Sequence, residues 1–148
     1  MTDSLPRNKA LAPFAPLIGE WKMSATHPML PGEHFHGTAS FAWLDEGAFF
    51  VWRSSLDDPR FPTGVAIFGS DDERHEYFML YFDERGVSRK YDVAIEGNTI
   101  RWSRNAPKLS QRNTWTIAAD GRSVAGKGEM SRNGGAWEGD LEATFTRI

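Results

Sequence analysis

Arg89 and Tyr91 stand two residues apart in a stretch, Val87 to Ile95, that alternates as a β-strand does. Arg89, Tyr91, Val93 and Ile95 then share one face, and Ser88, Lys90, Asp92 and Ala94 share the other. The first face is the buried one by composition. A buried arginine needs a partner or a ligand, because an unpaired charge away from water is costly. Its planar fork matches a carboxylate or phosphate, and a tyrosine hydroxyl beside it adds a further donor. Arg104 follows Ile100 and Trp102 on a second strand face in the same way. Both belong to a basic stretch in which Arg85, Arg89, Lys90, Arg101, Arg104, Lys108 and Arg112 face only Asp92 and Glu96. One reading is an anion-attracting cavity wall or rim. The other is a solvated basic face, with arginines near strand ends reaching into water.

Fewer residues offer other chemistry. His34 and His36 flank Phe35, with His27 and Glu33 close in sequence. A transition metal needs three or four such ligands in fixed geometry, and this Pro- and Gly-containing stretch fits no metal-binding spacing. A solvated loop is the expectation, and no metal is assigned. His75 opens a strand beside Tyr77 and is a conceivable general base. No nucleophile elbow, phosphate loop or paired-carboxylate motif is present, so no catalytic residue is assigned. The absence of cysteine excludes disulfides and thiol chemistry.

The elements that must position these residues are strands. The opening segment, Asn8 to Ile18, is apolar but carries Pro13 and Pro16, which restricts it to a short helical turn or two. From Gly19 onward, runs of period two are separated by turn residues. They fall at Glu20–Thr26, His36–Leu44, Ala48–Ser55, Thr63–Phe68, His75–Phe82, Val87–Ile95, Thr99–Arg104, Gln111–Ile117, Ser123–Ser131 and Ala136–Arg147. Asn133-Gly134 is the strongest hairpin turn. The last run places Trp137, Leu141, Phe145 and Arg147 on one face and Glu138, Asp140, Glu142, Thr144 and Thr146 on the other. A terminal strand of that kind can close against the first, where Trp21, Met23 and Ala25 share a face. The expected fold is all-β: an antiparallel up-and-down barrel of about ten strands, one domain over 1–148, with a short N-terminal helical segment.

Two strands break the simple pattern. Tyr77, Met79 and Tyr81 oppose Phe78, Leu80 and Phe82, so the fifth run is apolar on both faces. Its outer face is expected to be covered by the N-terminal segment or to form a homodimer contact. Gly126 and Gly128 lie inside the ninth run, where glycine marks room for a ligand or, the preferred reading, a bend for closure.

Aromatic residues make up 13% of the 148-residue chain, which suits wide pleated surfaces and cavities. A net charge of −3 gives no reason to expect nucleic-acid binding. No apolar run is long enough to cross a bilayer, and Met1 to Lys9 has no apolar signal core, so a cytoplasmic location is expected.

Gly19-Glu20-Trp21, after a helical turn and at the start of the first strand, resembles the opening of lipocalins and other calycins. The resemblance implies that Trp21 packs across the closed end of the barrel, with Arg147 from the last strand over its ring, and it assigns Gly19, Trp21 and Arg147 to barrel closure. Phe14, Leu17, Gly19, Trp21, Tyr81-Phe82-Asp83 and Tyr91 also resemble a family of small, uncharacterised bacterial lipocalin-like proteins. The haem-binding nitrobindins are more distantly similar. Their Gly-x-Trp-x-Gly-x-Gly reads Gly19-Glu20-Trp21-Lys22-Met23-Ser24-Ala25 here, and the last histidine is His75 instead of one late in the chain. Haem is therefore not expected, and no cofactor is assigned.

Fatty-acid-binding barrels, which this plan resembles, place Arg and Tyr inside to hold an anion. The first expectation is thus a non-catalytic carrier or sensor of a small hydrophobic or amphipathic molecule, with no membrane or nucleic-acid partner. Tyr77, Tyr81, Trp102 and Trp115 would form the wall, and Arg89, Tyr91 and Arg104 the polar end. A barrel isomerase or hydrolase using His75 or a tyrosine, and a non-catalytic interaction module, remain alternatives.

Overall fold

The computed structural model describes residues 5–148; residues 1–4, part of the polar opening segment, lie outside the described residues. A 3-10 helix, Lys9–Leu17, precedes ten strands: β1 (Gly19–Thr26), β2 (Phe35–Leu44), β3 (Phe49–Leu56), β4 (Gly64–Ser70), β5 (Tyr77–Asp83), β6 (Ser88–Glu96), β7 (Thr99–Arg104), β8 (Leu109–Ile117), β9 (Ser123–Arg132) and β10 (Trp137–Arg147). Each strand pairs antiparallel with its sequence neighbours, and β10 returns to pair with β1, so the barrel is closed. Closure leaves no unpaired edge for another chain to extend. Strand ends differ from the sequence reading by at most two residues or so, the usual latitude of fraying ends. Among the described residues no helix is long and apolar enough to cross a membrane.

The N-terminal segment folds as it does because Pro13 and Pro16 remove amide donors from an α-type ladder. Asn8 caps it, its side chain accepting from Ala10 N at 3.1 Å. Leu11, Phe14 and Leu17 recur every three residues, the period of a 3-10 turn, and all three are fully buried. The Phe14 ring lies 5.3 Å from Phe50, 5.2 Å from Phe68 and 5.5 Å from Tyr77. The helix therefore plugs one end of the barrel from the inside.

That placement corrects one expectation for β5. The helix covers its inner face; the outer face stays open, with Leu80 36% and Phe82 39% exposed. Across β4 they pair with Ile67 and Val65, which extends the apolar strip over two strands.

The closed end is tied by β10. Arg147 sits opposite Trp21 in the β1–β10 ladder, its guanidinium 4.2 Å from the indole centroid. It donates to the carbonyls of Pro16 and Ile18 at 2.7 Å and of Gly121 at 3.2 Å. Trp21 Nε1 donates to Leu17 O at 2.8 Å. Gly19 has φ +133°, and a Cβ there would stand 2.6 Å from Arg147 Nη1, so glycine is required on both counts.

A bulge in β10 corrects a second expectation. Gly139 pairs with Glu129 and Glu142 with Lys127, three steps on β10 against two on β9. After the bulge, Phe145 and Arg147 point inward, in phase with the sequence alternation. Before it, the phase is reversed. Trp137 is exposed and lies 3.9 Å from the Arg112 guanidinium on the outside, not with Phe145 in the core. Asp140, expected on the wet face, turns into the barrel beside Leu141.

Candidate binding site

The end opposite the helical plug is open. A cavity of about 370 Å³ lies beneath it. Its rim comes from the β1–β2, β3–β4 and β5–β6 connections, through His27, Arg60, Phe61, Pro62 and Arg85. Its wall is built from inward positions of β3, β7 and β8, where Trp52, Trp102 and Trp115 meet. The Trp52 and Trp115 rings are 4.8 Å apart and nearly perpendicular, and Trp102 is 6.0 Å from Trp52 and 5.8 Å from Trp115.

Three hydrogen-bond donors on this wall are buried with no acceptor among the described residues: Trp52 Nε1, Trp102 Nε1 and Asn113 Nδ2. Asn113 is seated by glycine. A Cβ at Gly128 would lie 2.7 Å from Asn113 Oδ1 and 2.8 Å from Leu141 O. At Gly126 it would stand 3.2 Å from Trp115 Cδ1 and 3.1 Å from Ala143 O. The paired glycines of β9 thus admit wall side chains and the adjacent β10 backbone, a closer constraint than a bend for closure.

A chain of hydrogen bonds runs along the rim. Tyr91 donates its hydroxyl proton to Gln111 Oε1 at 2.6 Å, and Gln111 Nε2 donates to Asp140 Oδ2 at 3.1 Å. Asp140 Oδ1 accepts from Leu141 N at 2.9 Å and meets His27 Nε2 at 3.2 Å. Met29 N donates to His27 Nδ1 at 3.1 Å. That bond requires a bare Nδ1, which assigns the ring proton to Nε2 and makes His27 a donor to Asp140. Burial pushes the Tyr91 hydroxyl above its ordinary range, partly offset by Arg89 and Arg104 nearby, so it stays protonated at neutral pH.

Three arginines line the cavity, and their pairing differs. Arg60 binds Asp58 at 2.8 Å and Glu33 at 2.9 Å, and its hydrogen bonds pull Asp58 down to about 2. Arg85 binds Asp83 at 2.7 Å; the Asp83 side chain is fully buried and also accepts from Tyr81 Oη at 2.8 Å. The Arg85 hydrogen bonds hold Asp83 well below the usual carboxylate range, while burial and Asp83 push Tyr81 upward. Arg89 forms no ion pair among the described residues.

Of the site residues read from the sequence, Arg89, Tyr91, Tyr81, Trp102 and Trp115 line this cavity. Tyr77 does not: it is at the plugged end, its hydroxyl donating to Ala10 O at 2.6 Å. Arg104 does not line the cavity either; its guanidinium stacks 5.9 Å from the Tyr91 ring. His75 is exposed in the β4–β5 turn at the plugged end, with φ +55°, remote from the cavity. His34 and His36 are exposed on either side of buried Phe35. Among the described residues no three His, Asp or Glu side chains converge as a metal site would require.

Trp52, Gln111 and Asn113 escaped the sequence reading although the signal was there. Gln111 and Asn113 share a face with Trp115 and Ile117. Arg60 and His27 lie in loops and Asp140 at the bulge, where alternation carries no information.

The fold is thus a closed ten-stranded antiparallel up-and-down barrel, plugged at one end by the N-terminal segment and hollow at the other. The crystal structure of Rv2717c from M. tuberculosis has the same fold, with a TM-score of 0.67 at 15% identity over 94% of this chain and 97% of that one. The S-type phycobiliprotein lyase CPES from Guillardia theta matches with a TM-score of 0.56 at 13% identity, over 91% and 90% of the two chains. No protein-family model and no curated protein matches the chain by sequence. At these identities the likeness is one of fold.

Proposed function

We propose that this protein is a non-catalytic carrier or sensor that holds one small, largely apolar molecule in the barrel, with an anionic group at the mouth. The observation that carries this reading is Arg89: a cavity-lining arginine without a carboxylate partner among the described residues, above a tryptophan-walled cavity of about 370 Å³. That volume lies in the range of small-molecule sites, which are mostly apolar with a few placed polar groups. A ligand anion would supply the partner that Arg89 lacks, with the protonated Tyr91 beside it. Catalysis is the weaker reading, because both ring nitrogens of His27 are engaged and His75 is remote. One structural neighbour is named a lyase, and this fold hosts more than one function. Kinship with the small bacterial lipocalin-like proteins, and a cytoplasmic location, belong to the same proposal.

The test is a fluorescence titration with 1-anilinonaphthalene-8-sulfonate, an aromatic anion. Saturable one-site binding is expected, weakened about tenfold or more in Arg89→Ala, the scale of a charged hydrogen bond. No saturable binding overturns the reading, and equal affinity of the variant removes Arg89 from it.

For the outer apolar strip of exposed Leu80 and Phe82 with half-buried Ile67 and Val65 we propose contact with a second copy of the chain. Sedimentation equilibrium would show a dimer lost in Leu80→Ser; a monomer at all concentrations withdraws it.

A further inference from the structure

The three cavity arginines differ in how much of each guanidinium a carboxylate covers. A guanidinium presents two forks of donors: a side edge, Nε with Nη2, and an end edge, Nη1 with Nη2. Arg60 has both edges covered. Its side edge meets Asp58 at 3.0 and 2.8 Å, and its end edge meets Glu33 at 3.5 and 2.9 Å. Arg85 has one edge covered. Its Nε lies 3.2 Å from Asp83 Oδ1 and its Nη2 2.7 Å from Asp83 Oδ2. The end edge of Arg85 meets no carboxylate among the described residues, and Arg89 meets none on either edge.

Arg85 is also held in place from behind. The Asp83 side chain is fully buried, and it accepts from Tyr81 Oη at 2.8 Å and from Arg85 N at 3.0 Å. Tyr81 links the two arginines with open edges. It is the cross-strand partner of Arg89 in the β5–β6 ladder, and its hydroxyl binds the carboxylate that holds Arg85. Arg85 and Arg89 line the same cavity, whereas Asp83 does not line it. Among the described residues Asp140 is the one carboxylate that does, and Gln111, His27 and Leu141 N already engage it. Two forks therefore serve one mouth without a protein anion to fill them.

The number of forks selects the ligand's head group. A carboxylate has two oxygens, and a single fork engages both. A phosphate monoester has three free oxygens, enough to meet a second fork. We propose that the anionic group of the ligand is a phosphate monoester, seated between Arg89 and the end edge of Arg85. This rests on the cavity being the binding site with Arg89 at the anion. It adds Arg85 as a specificity-determining residue and Asp83 as the residue that positions it.

Isothermal titration calorimetry with 1-naphthyl phosphate and 1-naphthoate, which share a ring system, tests this at about pH 7.5, where the phosphate is mostly a dianion. Wild-type protein is expected to bind the phosphate about tenfold more tightly. Arg85→Ala should erase that preference and leave naphthoate affinity unchanged, which also shows that the variant is folded. Arg85→Lys keeps a positive charge beside Asp83 but lacks the fork, and should restore little of it. Naphthoate binding as tight as phosphate binding in wild type overturns the phosphate seat and leaves the cavity reading intact. A preference that survives in Arg85→Ala, or returns in full in Arg85→Lys, overturns the assignment to the Arg85 fork. Failure of both compounds to bind wild type overturns the cavity reading, and this inference with it.

Discussion

The Arg147 guanidinium lies 4.2 Å above the Trp21 ring and reaches three backbone carbonyls, those of Pro16, Ile18 and Gly121. One side chain thereby ties the last strand to the first strand, to the helical plug and to the β8–β9 turn. Arg147→Ala removes three charge-assisted hydrogen bonds and a cation–π contact, and is expected to cost about 2–4 kcal/mol in urea denaturation. Arg147→Lys should recover little, because an ammonium cannot span three carbonyls as the guanidinium fork does. A lysine variant as stable as wild type would show that charge alone closes this end.

Gly128→Ala places a methyl 2.7 Å from Asn113 Oδ1 and 2.8 Å from Leu141 O. Leu141 O belongs to the backbone of the bulged strand and has little room to move. The expected cost is about 1–3 kcal/mol, read as a lower melting temperature. Gly126→Ala meets its nearest neighbours at 3.1 Å and beyond and should cost less. The reverse order would mean that Asn113 and the bulge yield more readily than Trp115.

Tyr77→Phe deletes the hydroxyl that donates to Ala10 O and leaves the ring against Phe14. A loss of about 1 kcal/mol is expected, with affinity for 1-anilinonaphthalene-8-sulfonate unchanged. Phe14→Ala should cost about 3–5 kcal/mol, since the ring is fully buried among Phe50, Phe68 and Tyr77. A Tyr77 variant that binds the probe tenfold more weakly would return Tyr77 to the site.

Asp83 and Asp58 contribute to the acid limb of stability. Arginine hydrogen bonds hold both carboxyls below their ordinary value of 3.8, Asp58 to about 2. A depressed folded pKa contributes stability that is present above the unfolded value and lost as pH falls through the folded one. Wild type should therefore exceed Asp83→Asn in stability at pH 7. The difference should shrink steadily as pH drops below about 4. Asp58→Asn should show a smaller effect, because that ion pair is more exposed. Denaturation midpoints measured from pH 7 to 2 give the comparison; a difference that stays constant with pH would rule out the Asp83 carboxylate as its source.

The barrel was legible in the sequence because strand alternation is a local property. Glu20 to Thr26 already shows which of its residues face inward, and Val87 to Ile95 does the same for Arg89 and Tyr91. The N-terminal prolines likewise announced a short helical element. The site was only half legible. Tyr77 and Tyr81 share a strand face, yet one ends at the plug and the other at the cavity, and nothing local separates the two ends.

What the sequence by itself determined is the set of strands, the inner and outer faces of those without a bulge, and the availability of Trp21 and Arg147 for the closed end. The tertiary structure alone decided which end is plugged, where β10 slips phase to bring Asp140 inside, and which cavity arginine lacks a carboxylate. It also decided that Trp52, Trp102 and Asn113 gather their unpaired donors on one wall. The reason is physical. Alternation is dictated by neighbouring residues, whereas a bulge register, an ion pair or an unmet hydrogen bond depends on which distant strands come into contact.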